Sequence, residues 1–225
     1  MTLLEAIDHR HSIRCYIDKP LAPEDKEKIA AKAEELNKES GLSMSIMFDE
    51  PKAFEKSTGF LFTKNYVLMT GPVSMGKREL QEAVGYYGEK LVLWAETEGF
   101  GTCWVKASYK KQTELYNIPE GHELVCVIAI GYPAFPGKPH QNRLIDDVIR
   151  AQRGMPQWYI DGAYAALAAP TALNQQMFYF VWKGENRCQA KPNMKIWPNV
   201  YIDLGIVKYH FEIGAGAENF VWVEE

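Results

Sequence analysis

Arg10, His11, Ser12 and Arg14 crowd one short segment near the start of the chain. Two guanidiniums with a hydroxyl and an imidazole can cradle a phosphate, because arginine holds phosphate oxygens through two parallel hydrogen bonds. The competing reading is a solvated basic end of a first helix, close to its negative dipole pole. A second phosphate pattern is Gly71-Pro-Val-Ser-Met-Gly76-Lys77, which fits G-x-x-x-x-G-K. There Arg78 replaces the Ser/Thr that would hold magnesium, and Pro72 removes a backbone donor. That string reads better as a Gly-Pro turn before a helix, with a P-loop nucleotide binder as the lesser alternative.

Metal and nucleophile chemistry find little support. His9, His122, His140 and His210 show no ligand spacing. Cys15, Cys103, Cys126 and Cys188 form no C-x-x-C pair, so neither a zinc site nor a disulfide framework is expected. Cys103 has no histidine near it in sequence to activate it and reads as packing. The 225 residues carry 25 Lys+Arg against 29 Asp+Glu, a net charge of −4, which disfavours phosphate-backbone binding to nucleic acid. No apolar run approaches the roughly 18 residues of a membrane span, and the start MTLLEAIDHRHSIR is not a secretory signal. Scattered free thiols fit a cytoplasmic protein.

The elements that must position these groups follow from patterning. Pro23 with Glu24 and Asp25 opens a helix whose buried face is Ile29, Ala33 and Leu36, ending near Asn37 and Gly41. Tyr66–Thr70 predicts a strand. The longest helical pattern is 81–98, apolar almost all round, which calls for burial in a large core or against a second subunit. Gly99 and Gly101 end it. Strands are predicted at 102–105 and 124–130, the second apolar enough to be covered on both faces. AFPGKPHQNR must be a loop. Helices at 158–168 and 199–213, the latter opened by Pro198 and ended by Gly214 and Gly216, alternate with strands at 177–182 and 220–223. This order lacks strict βαβ alternation, so an α+β domain with helices packed on an antiparallel or mixed sheet is expected. A faint repeat relates Tyr86 through Gly101 to Tyr201 through Gly216, each residue 115 positions on from its counterpart.

Four strings together bear on function. RHSIRCY (10–16) resembles the N-terminal signature of the nitroreductase family of FMN-dependent oxidoreductases. AETEGFGTCWV (95–105) resembles that family's segment after its central interface helix, and IAIGYPAFPGKPHQNR (128–143) its strand followed by a basic loop. AAPTALNQQMFYF (168–180) resembles its flavin-binding turn, usually Pro-Ser-x-x-Asn-x-Gln-Pro-Trp. Residues 1–22 and 80–181 carry most of the resemblance. It implies FMN as cofactor, with Arg10, His11, Ser12, Lys138 and Arg143 around the phosphate or ribityl end and Arg14 near the N1/O2 edge of the ring. It places Trp104, Val105 and Lys106 along one side of the ring, and Pro170, Thr171, Ala172, Asn174 and Gln176 in the turn that packs on it. Lys106-Ala107 stands where members often carry two glycines, Ala172 replaces a frequent serine, and Met177-Phe178 replaces Pro-Trp.

The order of the strings departs from the family. Ordinary members carry the Pro-Ser-x-x-Asn turn soon after their first helices, where this chain has GLSMSIMFDE. Here the turn falls in the second repeat, which has no counterpart of RHSIR. Since the family forms homodimers with FMN shared between subunits, the resemblance implies an internal pseudo-dimer. A first half, 1–150, would carry the phosphate arm, and a truncated second half, 151–225, the flavin turn. One monomeric chain would then build one site, a true homodimer being the alternative. The implied reaction passes hydride from NADH or NADPH through the flavin to a small electron-poor acceptor such as a nitro compound or quinone, with no catalytic side chain. An FMN carrier, sensor or flavin-processing module without reductase turnover is the other reading.

Overall fold

The computed structural model describes residues 1–57, 59–150, 153–194 and 199–224. Helix α1 (Leu3–His9) opens with a capping box between Thr2 and Glu5 and ends at Arg10. Helix α2 (Pro23–Ser40) starts at its proline and stops at Gly41, whose φ of 71° supplies the left-handed cap. Strands β1 (Ser45–Met47), β2 (Tyr66–Pro72), β3 (Gly101–Val105) and β4 (His122–Gly131) form an antiparallel sheet in the order β1-β2-β4-β3. β4 lies in the middle and is buried from Val125 onward, as its continuous apolar run requires. Helix α3 (Lys77–Thr97) joins β2 to β3.

The second part repeats the sequence of element types. After the one-turn helix α4 (Ile145–Val148) come α5 (Gln157–Leu167), β5 (Phe178–Trp182), β6 (Arg187–Pro192), α6 (Val200–Ala215) and β7 (Val221–Trp222). β5 and β6 pair antiparallel, and β7 adds to β6 in parallel, so this sheet is mixed. An α+β fold of helices packed on sheets is therefore what the chain adopts. The expected proline opening of α6, Pro198, lies outside the described residues. β1 and β6 are strands that patterning did not predict.

Helices α3 and α6 cross at two glycines. A Cβ on Gly85 would sit 2.0 Å from the Ile202 carbonyl oxygen, and one on Gly205 would sit 2.0 Å from that of Glu82. The contact is reciprocal, 85 to 205 and 82 to 202, a spacing of 120. This contact spacing differs from the 115 of the sequence repeat. Two other expected helix-ending glycines serve close approach instead. Gly101 lies in β3 with Ile13 against it, and Gly214 packs inside α6 on the Asp161 carbonyl. Gly99 and Gly216 keep positive φ at the helix ends.

The crossing is sealed by a buried polar chain. His210 of α6 is completely buried, with one ring nitrogen 2.8 Å from Glu89 Oε1 and the other 3.1 Å from the Ala165 carbonyl. The second Glu89 oxygen accepts the Trp104 indole N–H at 2.9 Å. Every valence of this dry pair is used, the condition under which a buried ion-forming pair is tolerated.

Adding a methyl at the crossing has a predictable cost. Gly85→Ala and Gly205→Ala should each lower stability by about 1–3 kcal/mol, the usual range for overpacking. Because both act by prising the same two helices apart, the double variant should lose less than the sum. Urea denaturation midpoints check this, and two independent, additive losses would contradict the shared crossing.

Candidate active site

The arm that follows α1 is held on three sides. Ile13 N–H donates to the Thr102 carbonyl at 2.8 Å, Leu61 N–H to that of Arg14 at 2.9 Å, and Ala134 N–H to that of Cys15 at 3.0 Å. These ties lay Arg10, Ser12 and Arg14 beside β3 and beside the basic loop after β4. The loop passes so close that a Cβ on Gly137 would meet His11 Cβ at 2.2 Å. Glycine is needed there for approach, not for turning.

The turn at 170–176 is strained and heavily braced. Leu173 (φ 52°), Asn174 (φ 53°) and Gln176 (φ 48°) all occupy the left-handed region, which asparagine tolerates and leucine does not. Gln176 N–H donates to Thr171 Oγ1 at 3.1 Å, and Asn174 N–H to the Thr171 carbonyl at 2.9 Å. Asn174 Nδ2 donates to the Gln141 carbonyl at 2.7 Å. Buried Gln176 accepts from Arg143 N–H at 2.7 Å and donates to the Leu167 carbonyl at 2.8 Å. Strain retained by so many bonds is typical of a site whose geometry matters.

Between these segments lies a cavity of about 880 Å³. Of the residues singled out in the sequence, Arg10, Ser12, Arg14, Trp104, Val105, Lys106, Lys138, Pro170, Thr171, Ala172 and Asn174 line it. Three do not. His11 packs under Gly137, while Arg143 is exposed and Gln176 buried, and these two bond the basic loop to the turn. Their place in the fold is to position the cavity wall. The G-x-x-x-x-G-K string is not at the cavity. Val73 N–H is committed to the Gly121 carbonyl and Gly76 N–H to that of Val73, while Gly71 is squeezed against Leu42 and Leu80. Two of the donors a phosphate cradle would use are thus taken and the string lies away from the cavity, so the P-loop alternative is set aside.

Three cavity-lining polar groups carry unsatisfied capacity: the Asn199 amide oxygen and two ionisable groups. Arg10 is 3% exposed, and its Nε has no hydrogen-bond partner among the described residues. Burial pushes its pKa down, opposed by Glu89 and Glu96, neither of which forms a salt bridge with it. The second group is one that sequence reasoning missed. Asp203 of α6, also 3% exposed, accepts the Ala172 N–H on Oδ1 at 3.0 Å and leaves Oδ2 unpartnered. Burial raises its pKa from 3.8 to about 7, with the Ala172 hydrogen bond acting in the opposite sense. One signal was available: Asp203 is the lone acid in the apolar run Leu204-Gly205-Ile206-Val207 with Ile202 before it. Cys126 also lines the cavity, and burial pushes its thiol up to about 12; Cys103 is buried and likewise raised, so both are inert packing groups. Among the described residues no cluster of three or more His, Cys, Asp or Glu is placed to hold a metal ion. No helix among them is long and apolar enough to cross a membrane.

Comparison with known proteins gives the family. The family described as "Putative TM nitroreductase" matches residues 2–215, and the chain belongs to it. Among solved structures, a "putative nitroreductase" of Thermotoga maritima superposes with a TM-score of 0.67 at 20% identity, covering 95% of this chain and 83% of that one. A "putative nitroreductase" of Desulfovibrio desulfuricans, solved in complex with FMN, superposes at 0.54 and 19% identity, covering 69% of this chain and 99% of that one. A "putative NADH dehydrogenase/NAD(P)H nitroreductase" of Bacteroides thetaiotaomicron gives 0.52 and 20%, covering 65% and 95% respectively. These likenesses establish the nitroreductase-like fold. No curated protein matches the sequence.

The Asp203 carboxyl makes stability depend on pH in a defined window. With its folded pKa raised to about 7, the native state holds a proton that the unfolded chain has released, so stability falls as pH rises from about 4 to about 7 and then levels. Asp203→Asn keeps an acceptor for Ala172 and removes this slope. In flavin-free protein the variant should gain about 2–3 kcal/mol over wild type between pH 5 and pH 8. Thermal midpoints at the two pH values measure it, and an unchanged gap would refute the shift.

Proposed function

We propose that this protein is an FMN-dependent NAD(P)H oxidoreductase, passing electrons to a small electron-poor acceptor such as a nitro compound or quinone. The observation that carries the reading is Arg10, a buried guanidinium opening into a large cavity with an unused donor. A buried cation without a partner is costly, and a phosphate dianion supplies the missing acceptors through charge-assisted bonds. The donor set fits FMN: Arg10, Ser12 and Lys138 can hold the phosphate and ribityl end, and the two walls can enclose a flat ring. The chemistry that FMN supplies when bound is hydride acceptance at N5 and redelivery to the acceptor.

The chain's own residues do the rest. Arg14 is an exposed cation lining the cavity, available in this reading to stabilise negative charge on a reduced ring. Trp104 is locked by its bond to Glu89, which gives β3 a rigid wall against the ring. The braced turn from Pro170 to Asn174 forms the opposite wall. No side chain needs to act as acid or base, and NADH and NADPH both remain compatible with the site.

We further infer that one chain makes one whole site, as a monomeric pseudo-dimer with halves 1–150 and 151–225. Support comes from a cavity lined by both halves, and from the reciprocal crossing of α3 and α6. Structures described as nitroreductases that are themselves almost wholly covered match only about two thirds of this chain, which leaves room for a second, partial half. A binding module without turnover is favoured by one feature, the exposed, charged Lys106 on the wall where an acceptor would stack. Bleaching of bound flavin by NADH or NADPH, with reoxidation by a quinone or nitroarene, decides against it.

The test begins with the absorption spectrum of protein mixed with FMN and gel-filtered. One equivalent of FMN per chain is expected, whereas half an equivalent would mean a site shared across a true dimer. Arg10→Ala should then weaken FMN by about 1.5–3 kcal/mol, roughly 10- to 150-fold. Arg143→Ala, which lies outside the cavity lining and keeps its backbone bond to Gln176, should cost much less. Equal losses in the two variants would remove Arg10 from the phosphate site.

A further inference from the structure

The N-terminal end of α6 faces the cavity with two oxygens that lack donors. Asn199 is the residue before the first turn, yet its side chain caps nothing, and its buried Oδ1 has no partner among the described residues. Asp203 lies one turn further along the same face, with Oδ2 in the same condition. Both residues line the cavity, as does Ile206 beyond them. Asp203 is fixed: its other oxygen is tied to Ala172 N–H in the strained turn, so Oδ2 cannot swing away to find a partner.

Buried acceptors without donors are rare in proteins and cost about 1–3 kcal/mol each. The rest of the cavity cannot be the remedy. Arg10, Arg14, Lys106 and Lys138 line it too, but none donates to either oxygen. The cavity is thus two-ended in its chemistry, cationic along the arm and basic loop, accepting at the start of α6. A molecule that satisfies both carries an anionic group and, elsewhere, N–H or O–H donors.

We infer that Asp203 and Asn199 are ligand-positioning residues that accept hydrogen bonds from the N–H or O–H donors of the bound flavin. This rests on the FMN reading above. The flavin has two sources of such donors, the imide N3–H of its ring and the hydroxyls of its ribityl chain. The assignment gives the second half of the chain a polar role in cofactor recognition beyond the turn at 170–176. It also explains why an acid persists in the apolar stretch of α6.

The experiment measures flavin dissociation constants by fluorescence quenching at pH 8, where the Asp203 carboxyl is ionised and Oδ2 can only accept, in wild type, Asp203→Asn and Asn199→Ala. Three flavins serve as probes: FMN, its N3-methyl derivative, and an analogue lacking ribityl hydroxyls but keeping the phosphate. Asp203→Asn retains an acceptor for Ala172 while turning an N–H group toward the ligand, so it alters Oδ2 without unpinning the turn. Each variant should bind FMN about tenfold more weakly, the loss of one net hydrogen bond. Wild type should discriminate against one donor-blocked analogue, and that preference should shrink in the variants. Discrimination against the N3-methyl flavin assigns the imide as the donor, and discrimination against the other analogue assigns the ribityl chain. Variants that bind FMN like wild type, or lose the same factor for all three flavins, overturn the inference and leave the FMN reading standing. Wild type that retains no FMN removes both.

Discussion

The crossing of α3 and α6 is the constraint on which the rest of this structure hangs. At Gly85 and Gly205 the two backbones approach so closely that no side chain fits between them. Such approach places His210 against Glu89 in a fully buried position. Removing one partner would strand the other in a dry interior, which costs several kcal/mol, so the crossing has little freedom to slide. Glu89 in turn holds the Trp104 indole, and Trp104 is cavity wall. A register shift of either helix would therefore be felt directly at the site.

The same crossing explains how the cavity can store polar groups that are not satisfied within the protein. Arg10 and Asp203 are each almost fully buried, one on the arm after α1 and the other on α6. Neither would hold its place in an isolated hairpin of chain. The arm is tied to β3, β3 to α3 through Trp104 and Glu89, and α3 to α6 through the glycines. Asp203 completes the circuit by holding Ala172 and with it the strained turn. Burying a cation and a carboxyl with hydrogen-bonding capacity unused is destabilising, and a closed circuit of this kind over-determines their positions. Residues that look peripheral, Arg143 and Gln176, belong to the same circuit because they join the basic loop to the turn.

Much of this was legible in the sequence, and the failures have physical reasons. α2, α3, β4, α5 and α6 announce themselves through long apolar periodicity and through Pro and Gly at their ends. β1 and β6 do not, because SIM is too short to show a period and RCQAKP is too polar to read as a strand. Most of the cavity lining was recognisable from the strings that carry the family resemblance. Asn199 and Asp203 were not, since an amide and an acid near a helix start normally serve the positive dipole and solvent. The contact spacing and the sequence repeat also differ. Sequence alignment follows the glycines after each helix, whereas contact follows the glycines within them, and the two differ by five residues.

Strand pairing and helix crossing distinguish what the two parts of the chain bring to the site. In the first sheet β4 stands between β2 and β3, and its two antiparallel pairings make β2 and β3 parallel to each other. In the second sheet β7 runs parallel to β6 and pairs with it directly. The relative direction is the same in both, although the pairing differs. The cationic groups of the cavity, Arg10, Arg14, Lys106 and Lys138, come from the first part, while the second supplies the strained turn and the start of α6. At the crossing α6 carries Asp203 where α3 carries Ala83 at the corresponding position, so a buried carboxyl enters the cavity from one helix of the pair and its small counterpart on the other leaves the close approach undisturbed.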